Sequence, residues 1–214
     1  MPILRIMLWM ELLFTGADHL EWLQGQITND VRQLPCRFGI CNPNGTLAGL
    51  GELKQSDQGT LASGNELSML ALEDRVKTHV ILEDVSAVRI ANAEQADLPM
   101  PIELGIPMFG VDTGPRTLLL ELGNQIVANH LSTTKGCYVG QEILHRIHAR
   151  GETKTVWSGL LSEEVIEPGH YEGIWVTRAE VSPWHGPIAA AFVQRGLEEV
   201  VIGGISARVV ELPL

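Results

Sequence analysis

Cysteine is scarce in this chain. Cys36, Cys41 and Cys137 are the only three in 214 residues, and no two stand in a CxxC pair. An odd count without paired spacing argues against a disulfide framework and fits a reducing compartment. Positive charge is also in short supply, with 15 Lys and Arg against 26 Asp and Glu and a formal net charge of −11. That balance argues against a surface coated for non-specific nucleic-acid binding, while leaving room for a local basic site. No apolar run reaches the roughly 20 residues needed to span a bilayer. The apolar start, Met1 to Gly16, is interrupted by Glu11, carries Arg5 as its only basic residue and lacks a small-x-small cleavage site. It reads as a first β-strand rather than a signal peptide. Neither an internal repeat nor a low-complexity tract is found. What remains is the composition of a folded protein, 45% hydrophobic and 19% charged, long enough for one large domain or two smaller ones. A cytoplasmic protein without a membrane partner is expected.

Hydrophobic spacing then sets out the elements. Residues 16–34 read as a helix, because Leu20, Leu23, Ile27, Val31 and Leu34 repeat at steps of three and four, with Asp18 as N-cap and Pro35 as the stop. Residues 36–54 read as a hairpin around the turn Asn42-Pro43-Asn44-Gly45. A short strand over 59–62 follows, then a helix over 65–78 burying Leu67, Leu70, Ala71 and Val76. Residues 80–90 read as a strand interrupted by Glu83 and Asp84, and 91–101 as a linker with two prolines. This order suggests a ferredoxin-like α+β layer. The segment 117–122 belongs to the core. Beyond Thr153 the texture changes to short β-prone runs, Thr155-Val156-Trp157, 173–177, 188–193 and 199–202, separated by glycine and proline. These suggest a small C-terminal sandwich or barrel. The expected domains are therefore 1–150 and 151–214.

One stretch combines a nucleophile, a pliant backbone and charge: residues 135–142, KGCYVGQE, running into a short helix that carries Ile143, Leu144 and Ile147 on one face. Gly151 is the candidate C′ stop of that helix. Cys137 stands just ahead of the helix start, where the positive helix end and Lys135 would both favour a thiolate. A buried, inert thiol is the competing reading. Lys135, Arg146, Arg150 and Lys154 against Glu142 and Glu152 make a basic island in an acidic chain, which suggests an anionic ligand or, more plainly, charges that complement the helix C-terminus.

This motif, continued by Arg146, His148 and Arg150-Gly151, resembles the signature of the YgfZ-type folate-binding proteins, non-catalytic relatives of the glycine-cleavage T-protein, an aminomethyltransferase. Two further stretches are similar to the same family, in matching order: Gly16-Ala17-Asp18 with 23–31 (LQGQITNDV), and Gly105-Ile106-Pro107 with Phe109-Gly110-Val111-Asp112. The resemblance implies a T-protein-like folate-binding α/β region followed by a C-terminal β-barrel, with tetrahydrofolate or another folate as ligand. It implies support of iron–sulfur enzyme assembly or repair and of tRNA modification, with iron–sulfur proteins or their assembly machinery as partners; direct nucleic-acid binding is not expected, given the net charge. The residues it marks are Cys137, as a functional thiol, and Lys135, Gly136, Tyr138, Gly140, Gln141, Glu142, Arg146 and Arg150.

The chain departs from that pattern at three places. Leu47-Ala48-Gly49-Leu50 stands where the T-protein carries an acidic pair after the hairpin turn, so the carboxylate for methylene transfer is missing. The stretch before Gly105 is shorter than in relatives, which implies that the first domain is shortened around 91–103. Pro101 stands where they place an arginine. Two other readings remain beside the accessory protein: a folate-dependent one-carbon transferase, and an interaction module that has lost its ligand. No metal site is expected: Glu142, His145 and His148 recur at steps of three, but a second Glu-x-x-His copy is absent. Cys36 and Cys41 are expected in the core. Trp157, Trp175 and Trp184 are candidates for a stacking platform or, more simply, for core and rim.

Overall fold

The computed structural model describes residues 8–90 and 100–214. The chain forms two compact units that interleave in sequence: Met1–Pro99 with Asn129–Gln141, and Met100–Ala128 with Glu142–Leu214. The change of texture near Gly151 marks the start of a continuous β-rich stretch rather than a single boundary between units. The expected linker over 91–99 and the first seven residues of the expected N-terminal strand lie outside the described residues.

The first unit is built on an antiparallel sheet in the order β2-β3-β4-β1-β5. Its strands are β1 (Trp9–Thr15), β2 (Cys36–Cys41), β3 (Leu47–Ser56), β4 (Gly59–Asn65) and β5 (Ser86–Arg89). Strands β1, β3, β4 and β5 with helices α1 (His19–Gln26) and α2 (Glu66–His79) follow the ferredoxin-like succession, and β2 adds an outer strand. The turn at 42–45 is where the sequence places it, closed by the Gly45 amide on the Asn42 carbonyl at 2.8 Å. Asn65 caps α2, accepting the Ser68 amide at 3.0 Å. The buried face of α2 carries Ser68, Met69, Leu72 and Arg75, whereas Leu67 is 41% exposed. The face expected from apolar spacing is therefore rotated. Gly49 explains the rotation: a Cβ there would lie 2.8 Å from Ser68 Cα, so strand and helix approach closely through small residues. Ser68 Oγ accepts the Leu50 amide at 3.0 Å across that contact.

Helix α1 ends well short of Leu34. Ile27 leaves the helix in an extended conformation and bridges Ile40, and the Thr28 amide donates to the Gly39 carbonyl at 3.0 Å. Thr28 Oγ1 accepts the Gly39 amide at 2.8 Å and donates to the His130 carbonyl at 2.5 Å. Pairing with β2 thus outcompetes continuation of the helix, and the apolar residues Val31 and Leu34 reach the core from a 3-10 turn over Val31–Gln33 and the residue after it. Strand β5 begins only at Ser86, because the 81–84 loop is tied to the start of α1 instead.

The second unit contains a six-stranded antiparallel sheet, order β10-β11-β6-β9-β8-β7. The strands are β6 (Thr155–Ser162), β7 (Gly169–Tyr171), β8 (Ile174–Ser182), β9 (Gly186–Gln194), β10 (Glu199–Ile202) and β11 (Ile205–Val210). It is a half-barrel rather than a closed one, since β10 and β7 remain edges among the described residues. Leu160, Ile166, Val176, Ala189, Ala191, Val193, Val200, Ile202 and Ala207 form its core. Leu119, Leu120 and Leu122 of the 117–122 segment are buried as expected. Helices α3 (Asn124–His130) and α4 (Gln141–Arg150) lie where the chain passes from one unit to the other.

Candidate functional site

The motif segment 135–140 is a strap laid across the first unit. Its first anchor is Lys135, which is 5% exposed. The Lys135 ammonium donates to the carbonyls of Gln24 at 2.5 Å, Ile27 at 2.6 Å and Asn29 at 3.0 Å. Gln24 is in the last turn of α1, where backbone acceptors are left without intrahelical partners and the helix dipole is negative, and Ile27 and Asn29 lie just beyond its end. Arg75, also buried, completes the cap by donating to the Gln26 carbonyl at 2.9 Å and to the Cys41 carbonyl. Burial holds the Lys135 ammonium down to about 8, against the pull of Asp30. The LQGQITNDV stretch supplies the rest of this polar seam. Asn29 Nδ2 donates to the Arg37 carbonyl at 2.8 Å and the Asn129 carbonyl at 2.9 Å. Asp30 accepts from Gln24 and Arg32, and the Arg32 guanidinium keeps its carboxyl well below the usual range.

The Lys135 ammonium is thus committed to the backbone and has no N–H left to hold an anion directly. All three of its N–H donors are taken by main-chain carbonyls, and its Nζ lies 4.9 Å above the ring centroid of Tyr138. Tyr138 is the second anchor, 7% exposed, with burial pushing its phenol above the usual range. Gly140 is the third. Its φ of +85° lies in the left-handed region, and a Cβ would come within 2.6 Å of the Asn42 carbonyl oxygen and 2.9 Å of Cys41 Cβ. The motif glycine is thus pressed against the 42–45 turn. The Val139 amide closes the strap by donating to the Gly25 carbonyl at 3.2 Å.

Between the anchors, Gly136 and Cys137 are exposed, and Cys137 is a free thiol. Cys36 and Cys41 are free but buried, and burial pushes their thiols up to about 11 and about 12. One sulfur of the three is therefore presented to solvent, on backbone fixed at both sides.

Helix α4 starts at Gln141, and Gly151, with φ +121°, ends it. Leu144 is its buried residue, and Glu142, His145, Arg146, His148 and Arg150 are exposed. Arg146 donates to Glu142 one turn earlier at 3.2 Å. The basic island loses Lys135 but retains Arg146, Arg150 and Lys154 on the surface. Among the described residues no three of His, Cys, Asp and Glu are grouped to hold a metal.

The second unit holds a buried polar cluster around Asp112. A β-bulge between Val176 and Arg178 makes Thr177 the extra residue of β8 opposite Ala191 and Ala190. Consecutive strand residues normally point to opposite faces, but the bulge turns both Thr177 and Arg178 onto Asp112 Oδ1, at 2.9 and 2.8 Å. Asp112 Oδ2 accepts the Met108 amide at 2.9 Å. Arg178 also donates to the Met100 carbonyl at 2.5 Å. The FGVD segment was visible in the sequence; its arginine partner was not, because a bulge leaves no mark in apolar alternation. Trp157 is buried and donates to Thr177 Oγ1 at 3.4 Å, and Trp175 stacks between His170 and Phe192 with centroids at 5.4 Å on each side. Trp184 is 77% exposed, so the three tryptophans do not share one environment.

No protein-family model and no curated protein matches the chain. Among solved structures it is similar to the aminomethyltransferase T of the glycine cleavage system from Bartonella henselae, with a TM-score of 0.74 at 11% identity, over 96% of this chain and 83% of that one. No helix among the described residues is long and apolar enough to cross a membrane. The strap, the ferredoxin-like layer and the half-barrel are together parts of a T-protein-like fold.

Proposed function

We propose that the protein is a folate-binding accessory protein of the YgfZ type, which supports the assembly or repair of iron–sulfur enzymes through the thiol of Cys137. The observation that carries this reading is the presentation of that thiol. Cys137 is exposed between Lys135 and Tyr138, both buried, on a segment held to its unit on both sides of the thiol. A nucleophile for conventional catalysis would need a neighbouring base and an orienting group. The residues on either side of Cys137 supply neither: the Lys135 ammonium is consumed by carbonyls, and the Tyr138 phenol is buried.

Aminomethyl transfer is disfavoured by the strand that follows the hairpin turn. Residues 47–50 carry no carboxylate, and Leu47 and Leu50 point into the interior. A folate would bring carboxylates on its glutamyl tail, and of the motif cations Arg150, exposed on α4, and Arg146, exposed and exchangeable from its surface pair with Glu142, would meet them. Lys135 does not serve that purpose. The bound folate would supply a one-carbon carrier; the chain's own part is to bind and orient it and to present Cys137.

Complementation of a bacterial strain lacking its YgfZ protein tests the reading. Wild-type chain should restore the activity of iron–sulfur enzymes, and Cys137→Ala should not, while both accumulate equally. Calorimetric titration with tetrahydrofolate should give saturable binding that weakens in the Arg146→Ala, Arg150→Ala double variant. Turnover of an aminomethylated carrier with tetrahydrofolate would instead identify a transferase and overturn the accessory role.

A further inference from the structure

Asn44-Gly45 is the only Asn-Gly step in the chain, and it lies in the turn against which Gly140 is pressed. At such a step an asparagine can modify itself, because glycine leaves the nitrogen that follows the carboxamide unhindered. The reaction consumes only water. The Gly45 nitrogen loses its proton and bonds to Asn44 Cγ; the Cγ–Nδ2 bond breaks, and Nδ2 leaves as ammonia, taking up a proton. Water then opens the five-membered imide. Opening at Cγ leaves aspartate. Opening at the main-chain carbonyl of residue 44 leaves isoaspartate, with one extra methylene in the backbone and a free α-carboxylate.

The turn readies the carbon and restrains the nucleophile. Asn44 is exposed, and its Oδ1 accepts the Thr46 amide at 3.2 Å and the Thr46 hydroxyl at 2.8 Å. Two donors on that oxygen polarise the Cγ carbonyl in the manner of an oxyanion hole. Gly45, by contrast, is buried, and its amide donates to the Asn42 carbonyl at 2.8 Å. The strap bears on both partners of this bond. A Cβ on Gly140 would lie 2.6 Å from the Asn42 oxygen and 3.4 Å from Gly45 Cα.

We propose that Asn44 is a self-modification site gated by the strap. While Gly140 is seated, the Gly45 N–H stays on the Asn42 carbonyl and the imide forms slowly. When the strap lifts, the nitrogen is released beside a carbon that is already polarised. The product then acts back on its gate. An isoaspartate lengthens the backbone of the 42–45 turn where Gly140 leaves no room even for a methyl group, so the modified turn no longer seats the strap.

The full chain and the blocked peptide Asn-Pro-Asn-Gly-Thr are incubated side by side near neutral pH, and peptide mapping by mass spectrometry counts aspartate and isoaspartate at position 44. The folded chain should react at least about tenfold more slowly than the peptide, and its Gly45 amide should be protected from hydrogen exchange to a similar degree, since both reactions need that N–H released. Gly140→Ala, whose Cβ displaces the Asn42 carbonyl, should lose most of this suppression. If that variant does not fold, the exchange comparison in the wild-type chain decides. The isolated isoaspartate form should melt about 3 °C or more below wild type. Asn44→Asp, which carries the charge without the methylene, should melt with wild type. Equal rates in the folded chain and the peptide, or a slow chain whose Gly45 amide exchanges freely, would overturn the gate. An isoaspartate form that melts with Asn44→Asp would overturn its hold on the strap.

Discussion

The Lys135 ammonium and the Tyr138 ring face each other at 4.9 Å, two positions of one short motif folded back against the end of α1. Lysine and tyrosine are conventionally surface and rim residues. Here both are buried, and the residue pair between them is what remains outside. Lys135→Met should therefore act on stability. Removing the ammonium leaves the carbonyls of Gln24, Ile27 and Asn29 without it, at a cost of about 3 kcal/mol or more. Chemical denaturation should show the loss, and Lys135→Arg should not restore it, because a planar fork does not reproduce three converging donors.

The same lysine sets a pH dependence. Burial lowers its folded value to about 8, from 10.5 in the open chain. Between those two values the unfolded chain holds the proton that the folded chain has released, so stability rises with pH across that window. Below about 8 both states are protonated and the contribution is flat. The difference in unfolding free energy between wild type and Lys135→Met should accordingly grow from pH 8 towards pH 10. A difference that shrank over this range would contradict the assignment.

Gly140→Ala should destabilise by about 2 kcal/mol or more, since the left-handed backbone and the Asn42 carbonyl at 2.6 Å both oppose a side chain. Gly136→Ala is the matched control. A Cβ at Gly136 meets nothing within 4 Å, and its unfolding midpoint should stay close to wild type. Thermal melts of the two variants side by side decide the point.

Thiol labelling should separate the three cysteines. Cys137 is exposed, whereas burial holds Cys36 and Cys41 protonated to about 11 and about 12. Limited alkylation near neutral pH, followed by peptide mass spectrometry, should modify Cys137 first, with the other two reacting only as the protein unfolds. Faster labelling of Cys36 or Cys41 would refute the burial argument.

Breaking the Asp112–Arg178 pair should be among the costliest single changes in the second unit. Both side chains are buried, and removing either strands the other. Arg178→Met is expected to lose about 3–5 kcal/mol. Thr177→Ala, which removes one neutral hydroxyl, should lose about 1 kcal/mol. Denaturant unfolding curves for the two variants check the ranking.

The sequence was most legible where local chemistry decides. The 42–45 turn, the β-prone runs after Thr153 and the Gly151 stop all stand where their residue types place them. It was least legible where tertiary pairing overrides local preference. Thr28 draws the chain out of α1 onto β2, although Ile27, Val31 and Leu34 continue a helical stripe. Gly49 lets Ser68 rather than Leu67 face the sheet. The strap shows the same limit in the site. Its glycines, lysine and cysteine were conspicuous, but spacing alone could not tell a cation that holds a ligand from one that holds the backbone. The Arg178 partner of Asp112, 66 residues away, depends on a bulge that no periodicity reveals.

The strap also constrains when the first unit can finish folding. Lys135 meets carbonyls more than 100 residues earlier in the chain, and the intervening residues 100–128 belong to the other unit. During synthesis, the sheet and both helices of the first unit emerge well before the lysine that caps α1 and the glycine that seals the 42–45 turn. The nascent N-terminal unit must wait, with its α1 terminus capped by Arg75 alone, until residue 141 has cleared the ribosome. A stalled or truncated chain ending before that point would be a ready client for chaperones.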